Sequence, residues 1–127
     1  MIYIGFAFFV LSGFFESIMD KLQFHFDKSI FKKFKNSLFW DPSVSWKNKY
    51  KNENPEEGEK FFLSKTMFVG LTDAWHFFKL LRNFSIFIGI FFLIVESFSI
   101  VNSFLIVISA RILFGLSFSL FFRVLSR

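Results

Sequence analysis

Residues 83–122 read NFSIFIGIFFLIVESFSIVNSFLIVISARILFGLSFSLFF, and their only formal charges are Glu96 and Arg111. A chain of 127 residues is too small to bury this stretch in a soluble core, because small domains expose most of their elements on at least one face. Forty helical residues would extend about 60 Å, twice the hydrocarbon thickness of a bilayer. The stretch therefore predicts two membrane-embedded helices folded as a hairpin.

The turn of this hairpin is expected where small polar residues concentrate without proline, between Ser97 and Ser103. The two helices are then predicted at residues 83–100 and 104–122. Because polar side chains and backbone groups are costly in hydrocarbon, a turn belongs near the membrane surface. Glu96 is therefore predicted to lie near that surface.

Arg111 is predicted to lie about two turns inside the last helix. An unpaired charge inside a membrane is expensive, so an embedded ionisable residue is a functional hypothesis by default. Three interpretations of Glu96 and Arg111 are open: a structural ion pair with each other or with a partner subunit, a proton or ion relay, or snorkelling to the surface.

The composition agrees with a membrane location, since 54% of the residues are hydrophobic and 25 of the 127 are phenylalanine. The phenylalanines indicate either a ligand-stacking surface or an AT-rich gene, whose codons favour Phe, Ile, Lys and Asn. The chain has no cysteine, which excludes disulfides, thiolate catalysis and cysteine-ligated zinc or iron–sulfur sites.

Residues 1–19 are predicted to form an N-terminal transmembrane anchor, with Glu16 at the membrane boundary. A cleaved signal peptide would require a basic region before the apolar run and a small-residue cleavage site, and the sequence shows neither. Basic residues prefer the cytoplasmic side of a membrane, and five lysines follow the anchor closely: Lys21, Lys28, Lys32, Lys33 and Lys35. We therefore expect a bacterial inner-membrane protein with its N-terminus outside and residues 20–65 in the cytoplasm.

Residues 20–65 form a polar segment with ten lysines and seven acidic residues. Apolar residues at helical spacing within it predict a short amphipathic helix at headgroup level: Ile30, Phe31, Phe34 and Leu38. The lysines across Lys21–Lys51 predict binding of anionic lipid headgroups, with a solvated loop as the plainer alternative. Lysines interleaved with aromatic rings also occur on nucleic-acid surfaces, but a position beside an anchor favours lipid or an acidic protein over nucleic acid.

Residues 66–82 are ambiguous because polar residues recur in them every three positions, at Asp73, His76, Lys79 and Arg82. If this segment spans, the chain has four helices and its last basic residues lie outside; if it lies along the interface, there are three spans and those residues lie inside. The distribution of basic residues favours three spans. The packing of a four-helix bundle favours four helices, and this arrangement is slightly preferred. Both predict an all-α polytopic membrane protein of three to four helices, with residues 66–127 as its membrane helical region.

Asp73 and His76 would share one face of a helix and could pair a carboxylate with an imidazole. This pair would suit a proton relay or half of a metal site, but two ligands are too few for a closed site, and no metal or cofactor is expected. The simpler interpretation is that Asp73 is the N-cap of a helix beginning at Ala74. The chain has no Ser-His-Asp set, paired catalytic carboxylates, phosphate loop or HExxH motif, so no catalytic residue is predicted.

The chain carries two short motifs, WKNKYK at residues 46–51 and TDAWH at residues 72–76, with Ser64 between them. On these motifs, residues 39–79 resemble uncharacterised small bacterial integral membrane proteins. The resemblance implies a short helical membrane protein with a polar segment after its first span, and it implies no activity. Residues 57–62 lack the Gly-Pro-containing turn of that group. The resemblance also implies a polar and aromatic cluster at the membrane surface, made of Trp46, Asn48, Tyr50, Asp73, Trp75 and His76.

The sequence thus favours a non-enzymatic integral membrane protein that acts by association, as an accessory or scaffold subunit of a larger membrane complex. Its short length and its embedded charges are the reasons, and the expected partner is a membrane protein or a second copy of the chain. The alternative is a homo-oligomeric channel, holin-like pore or proton-coupled transport component that uses Glu96, Arg111 or the Asp73–His76 pair. A lipid-modifying enzyme using His76 and Asp73 as an acid–base pair is a third hypothesis.

Overall fold

The computed structural model describes residues 1–108 and residue 112. In this part of the chain the regular structure is helical, and β pairing is limited to one isolated antiparallel bridge between Tyr50 and Glu59. The all-α class predicted from the sequence is therefore confirmed.

Four α-helices have defined bounds: α1 at Ile2–Phe24, α2 at Ser37–Trp40, α3 at Pro42–Ser45 and α4 at Ala74–Ile94. Short 3-10 helices lie between α1 and α4, at Phe26–Lys28, Ile30–Lys33, Trp46–Lys49, Lys51–Glu53, Pro55–Glu57 and Val69–Leu71. Residues 100–108 are also helical.

Helices α1 and α4 are long and apolar enough to cross a membrane. They contain 23 and 21 residues, and about 20 helical residues span the hydrocarbon core of a bilayer. Only 22% of the apolar window of α1 and 11% of that of α4 is buried within the protein. The core helix of a soluble protein would be mostly buried within the protein. The apolar windows of α1 and α4 are instead mostly exposed.

The structure corrects the predicted start of the C-terminal hairpin. Its first helix begins at Ala74 rather than at Asn83, and it ends at Ile94 rather than at Ile100. Residues 66–82 therefore form neither an independent span nor a continuous interfacial helix, because residues 74–82 are the first half of α4. The interpretation that Asp73 caps a helix beginning at Ala74 agrees with these bounds, and the choice between three and four spans stays a prediction.

The turn after α4 lies at residues 95–99, slightly before the predicted turn at Ser97–Ser103. The backbone becomes helical again at residue 100, where the Ser99 hydroxyl oxygen accepts from the Asn102 amide at 3.3 Å. A serine in this position satisfies a free amide at the start of a helix. The predicted helix at 104–122 thus begins earlier, and most of its length lies outside the described residues.

The predicted amphipathic helix through Ile30, Phe31, Phe34 and Leu38 does not form. A 3-10 helix covers Ile30–Lys33, Phe34 is extended, and α2 starts only at Ser37. The rings of Phe31 and Phe34 pack on Trp40, with centroids 5.2 and 4.8 Å away. The helical spacing of these rings therefore reflects a local aromatic cluster.

The chain divides into two compact units, one containing Met1–Val10 and Ser85–Arg127 and the other containing Leu11–Phe84. In the first unit α1 and α4 approach closely at glycines. A Cβ atom added to Gly5 would lie 3.0 Å from the Gly89 carbonyl oxygen and 2.9 Å from Leu93 Cδ2. Phe8 and Phe92 stack in the same unit at a centroid distance of 6.1 Å.

The second unit has a small apolar core formed by Ile18, Leu22 and Ala74. Partly buried aromatic residues pack around it: Phe15, Phe26, Phe31, Phe39, Trp40, Trp75 and Phe78. Because these rings come from α1, α4 and the segment between them, the core ties the polar segment to the helix ends. The part of the polar segment that carries Phe26, Phe31, Phe39 and Trp40 is thereby packed on this core.

Candidate functional site

Asp73 stands at the N-cap of α4 and is almost fully buried, with 4% of its surface exposed. Its Oδ1 accepts from the His76 backbone amide at 2.9 Å, which satisfies one of the free amides of the first turn. Its Oδ2 lies 2.7 Å from His76 Nδ1. Because a carboxylate can only accept, His76 Nδ1 is the donor of this contact, and Nε2 is the other ring nitrogen.

Asn48 ties the WKNKYK motif to the TDAWH motif. Its amide nitrogen donates to the Thr72 carbonyl oxygen at 2.6 Å, and its amide oxygen accepts from Lys60 Nζ at 2.6 Å. The carbonyl that it binds directly precedes the Asp73 cap. Asn48 therefore holds the start of α4 in place through a contact across 24 residues of sequence.

Ser64 is fully buried and joins the WKNKYK motif to the chain that follows it. Its hydroxyl donates to the Lys49 carbonyl oxygen at 2.7 Å and accepts from the Lys60 amide at 3.2 Å. The two chain segments also pair directly, since the Lys51 amide donates to the Gly58 carbonyl at 3.1 Å. Gly58 has φ of +80°, a left-handed conformation that favours glycine at this turn.

Trp75 links the start of α4 to the end of α1. Its indole nitrogen donates to Gln23 Oε1 at 3.2 Å, and its ring lies edge-to-face against His76 at 5.0 Å. Lys79 places its ammonium 4.8 Å from the centroid of the same ring. The Trp75 ring thus shields a cation at the first turns of an otherwise apolar helix.

Trp46 and Tyr50 form the exposed side of the cluster, with their rings edge-to-face at 6.5 Å. Three lysine ammoniums lie over these two rings, at 5.5 Å for Lys47, 5.6 Å for Lys49 and 5.8 Å for Lys65. Trp46 leaves 46% of its surface exposed. We call these five residues the aromatic–lysine face.

The six predicted cluster residues therefore divide into two groups with different surroundings. Asn48, Asp73, Trp75 and His76 are connected by hydrogen bonds and ring contacts through Thr72 and the first turn of α4, whereas Trp46 and Tyr50 belong to the aromatic–lysine face. Sequence reasoning missed Gln23 and Lys60, which supply partners to Trp75 and Asn48. No local pattern marks either residue, because both contacts join distant parts of the chain.

The predicted pairing of the two embedded charges, Glu96 and Arg111, stays a prediction. Glu96 lies in the turn at 95–99, is exposed, and has its Oε1 3.2 Å from the Met1 amino nitrogen. Arg111 lies outside the described residues. The structure adds an unpredicted ion pair between Glu16 of α1 and Arg82 of α4, and Arg82 also donates to Asn83 Oδ1 at 3.1 Å.

The Glu16–Arg82 pair is expected to behave as one energetic unit. Arg82→Met should lower the free energy of unfolding by about 1 kcal/mol, because it leaves the half-exposed Glu16 carboxylate without its partner. Adding Glu16→Gln should restore more than half of that loss, and SDS titrations in mixed micelles would measure the double-mutant cycle. If the stability losses of the two single substitutions simply add, the interaction between Glu16 and Arg82 does not stabilise the protein.

In the part of the chain that the structure describes, no group of three or more His, Cys, Asp or Glu residues could hold a metal ion. Both oxygens of Asp73 are used within the cluster, as are both polar ends of the Asn48 amide. Within residues 1–108, His76 Nε2 makes no hydrogen bond, and the lysines of the aromatic–lysine face contact only its rings through their ammoniums. The arrangement is suited to holding α4 in place and presenting a basic aromatic surface.

The chain matches no family model, and no curated protein or solved structure is significantly similar to it. The resemblance through WKNKYK and TDAWH stays a prediction.

Proposed function

We propose that the chain is a non-enzymatic integral membrane protein that acts as an accessory or scaffold subunit of a larger membrane complex. Helices α1 and α4 are its spans, and their low burial within the protein supports this, because lipid would cover the apolar faces that the protein leaves exposed. The segment between them then packs at one membrane surface, where it builds the polar cluster and the aromatic–lysine face.

The lysines orient these spans. Ten lysines lie between residues 20 and 65, so the positive-inside tendency places this segment in the cytoplasm of a bacterial cell and the N-terminus outside. The start of α4 at Ala74 supports the same orientation, because Lys79 and Arg82 then lie within two and a half turns of the cytoplasmic end. A third span after residues 95–99 would return the chain to the cytoplasm.

This orientation predicts opposite accessibility for two engineered cysteines in the cysteine-free chain. Ser99→Cys, in the turn after α4, should react in intact cells with a membrane-impermeant maleimide. Asn52→Cys, in the polar segment, should react only after the inner membrane is permeabilised. Reversed labelling would invert the topology, and labelling of both sites in intact cells would show that α4 does not span.

Association is favoured over catalysis because the side-chain polar atoms of Asp73 and Asn48 are already used in hydrogen bonds within the protein. Asp73 and Asn48 make hydrogen bonds to α4 and to the residues just before it, whereas Trp46 is 46% exposed and carries a lysine ammonium over its ring. Tryptophan and tyrosine are enriched among residues that dominate binding energy, and a lysine rim favours an acidic partner. The aromatic–lysine face is thus the proposed docking surface for a membrane partner with an acidic cytoplasmic side.

The test is affinity capture of the tagged full chain from membranes dissolved in a mild detergent. A reproducible partner is expected with the wild type, and Trp46→Ala should reduce its yield about tenfold, as the loss of a central aromatic contact does. Phe62→Ala is the matched control, because Phe62 is a similarly large exposed side chain outside the face. A chain that migrates alone as a monomer and captures no reproducible partner would contradict the proposal.

Proton-coupled transport is a second candidate, favoured by the carboxylate–imidazole pair at 2.7 Å in Asp73 and His76. Such a pair passes protons only if flux depends on its carboxylate. Liposomes containing the chain would be assayed for proton flux with the wild type, Asp73→Asn and Glu96→Gln. Flux that neither substitution changes would remove both residues from a transport mechanism.

A further inference from the structure

The second unit contains an open cavity of about 470 Å³ beside the C-terminal end of α1. Its walls include Gln23 at the end of α1, Asp27 and Lys32 in the 3-10 helices, and the stretch from Trp40 to Ser43. This volume lies in the range of small-molecule sites, about 300–1,000 Å³. The polar cluster and the aromatic–lysine face do not line the cavity, so its role is separate from theirs.

The charge of the cavity is opposite to that of the segment around it. Two carboxylates, Asp27 and Asp41, and one ammonium, Lys32, line it, although the segment as a whole is rich in lysine. Lys32 Nζ donates to Asp27 Oδ1 at 2.7 Å, and this hydrogen bond together with the lysine charge holds the pKa of the Asp27 carboxyl below its usual value. Asp41 thus supplies the excess negative charge.

Asp41 keeps one carboxylate oxygen available for a ligand. Its Oδ1 accepts from the Ser43 amide at 2.9 Å and from the Ser43 hydroxyl at 2.6 Å, which caps α3. In the described part of the chain no hydrogen bond uses Oδ2. The cavity therefore presents a half-buried acceptor that is anchored by its other oxygen.

Aromatic rings form the remaining wall of the cavity. Phe24 and Phe34 expose 66% and 43% of their surfaces, and Trp40 is held by Phe34 at a centroid distance of 4.8 Å. Organic ammonium groups bind favourably against aromatic faces and carboxylates together. A divalent metal ion would instead require several oxygen ligands in one place, and among the described residues no group of three or more His, Cys, Asp or Glu could hold one.

We propose that this cavity binds a phosphoethanolamine group, with the ammonium at Asp41 Oδ2 against the aromatic wall and the phosphate at Lys32. Lys32 has three donors and uses one of them for Asp27, so it can also donate to a phosphate oxygen. The group is either the headgroup of phosphatidylethanolamine or a soluble phosphoethanolamine ester. The lipid source rests on the proposed function, because it requires the end of α1 to emerge at the membrane surface.

The full chain in an uncharged detergent, incubated with equal amounts of phosphatidylethanolamine, phosphatidylcholine and phosphatidylglycerol, provides the test. Native mass spectrometry would count the bound lipids. The wild type should retain phosphatidylethanolamine about tenfold over phosphatidylcholine, because N-methylation removes the N–H donors that a carboxylate accepts.

Asp41→Asn should abolish this preference, since it keeps a side-chain oxygen that can cap α3 and removes the charge. Glu56→Gln is the matched control, because it neutralises a carboxylate of the same segment outside the cavity and should leave the preference unchanged. Adding soluble phosphoethanolamine separates the two sources: displacement of the lipid identifies the headgroup alone as the ligand, and retention identifies the whole lipid.

Equal retention of the ethanolamine and choline lipids by the wild type would overturn this inference, and so would an unchanged preference in Asp41→Asn. The measurement is made on the isolated chain, so its failure is distinguishable from failure of the proposed partner association. If no partner is captured, the lipid preference measured on the isolated chain still stands. If the chain shows no lipid preference, a partner captured from membranes still stands.

Discussion

Replacing Asp73 with alanine is expected to destabilise the protein by about 2–3 kcal/mol. About 1 kcal/mol of this comes from the lost N-cap bond to the His76 amide, and the rest from leaving the partly exposed His76 Nδ1 without its acceptor. The free energy of unfolding, measured by SDS titration in mixed micelles, would report the loss.

Two further variants separate the cap from general effects of removing an acid. Asp73→Asn keeps an oxygen that can accept from the His76 amide, so it should cost about half as much as Asp73→Ala. Asp20→Ala removes an exposed carboxylate from α1 and should change stability by less than about 0.5 kcal/mol. If Asp73→Ala and Asp20→Ala cost the same, the Asp73 cap does not hold the start of α4.

The Asp73 cap could be predicted because all of its contacts are local. An acceptor at the N-cap reaches the amide three residues later in any helix, so Thr72-Asp73 before an apolar run indicates a helix start from the sequence alone. The pairing of Asp73 with His76 follows from the same spacing. The structure shows both contacts.

Counting charges placed the start of the first hairpin helix at Asn83, whereas the cap at Asp73 indicated the start at Ala74 that the structure shows. The sequence places Lys79 and Arg82 inside a candidate span, which suggested that the span begins after them. The structure shows that the Trp75 ring shields Lys79 and that Glu16 pairs with Arg82, so both cations are accommodated within α4. The Glu16 contact joins residues 66 apart in sequence, and no periodicity within one helix reveals it.

The amphipathic helix predicted through Ile30–Leu38 does not form, which shows a similar limit of predictions made from helical spacing. Apolar residues at helical spacing need a surface to cover them, and the sequence alone does not say whether that surface is lipid or another ring. In the structure Trp40 packs against both Phe31 and Phe34. The extended backbone at Phe34 then ends the helical turn that the pattern predicted.

The sequence predicted which residues belong to the polar cluster, but it did not predict the hydrogen bonds that connect its two motifs. The two motifs that define it lie more than twenty residues apart, and their connection runs through Asn48 to a backbone carbonyl at Thr72. A backbone acceptor has no side-chain identity for a motif to show. For this reason the two motifs predicted one cluster without indicating that Asn48 contacts the start of α4 or that Trp46 and Tyr50 form a separate group.

Gly89→Leu is expected to disrupt the pairing of α1 and α4 in the first unit, with a loss of about 3 kcal/mol from overpacking. A Cβ atom at this position would lie 3.2 Å from the Gly5 carbonyl oxygen and 3.1 Å from the Phe9 ring, so the larger side chain has no room unless the helices separate. Small residues allow membrane helices to pack closely, and dispersion contacts then supply much of the pairing energy.

Gly13→Leu is the matched control, because a Cβ atom at Gly13 of the same helix pair meets nothing within 4 Å. Its effect should stay below about 0.5 kcal/mol, or be stabilising, since leucine favours the helix more than glycine does. SDS titration would compare the two variants, and Gly89→Ala should fall between them because it adds one methyl group at a tight contact. Similar losses for Gly89→Leu and Gly13→Leu would mean that the cost does not come from the close approach of the two helices.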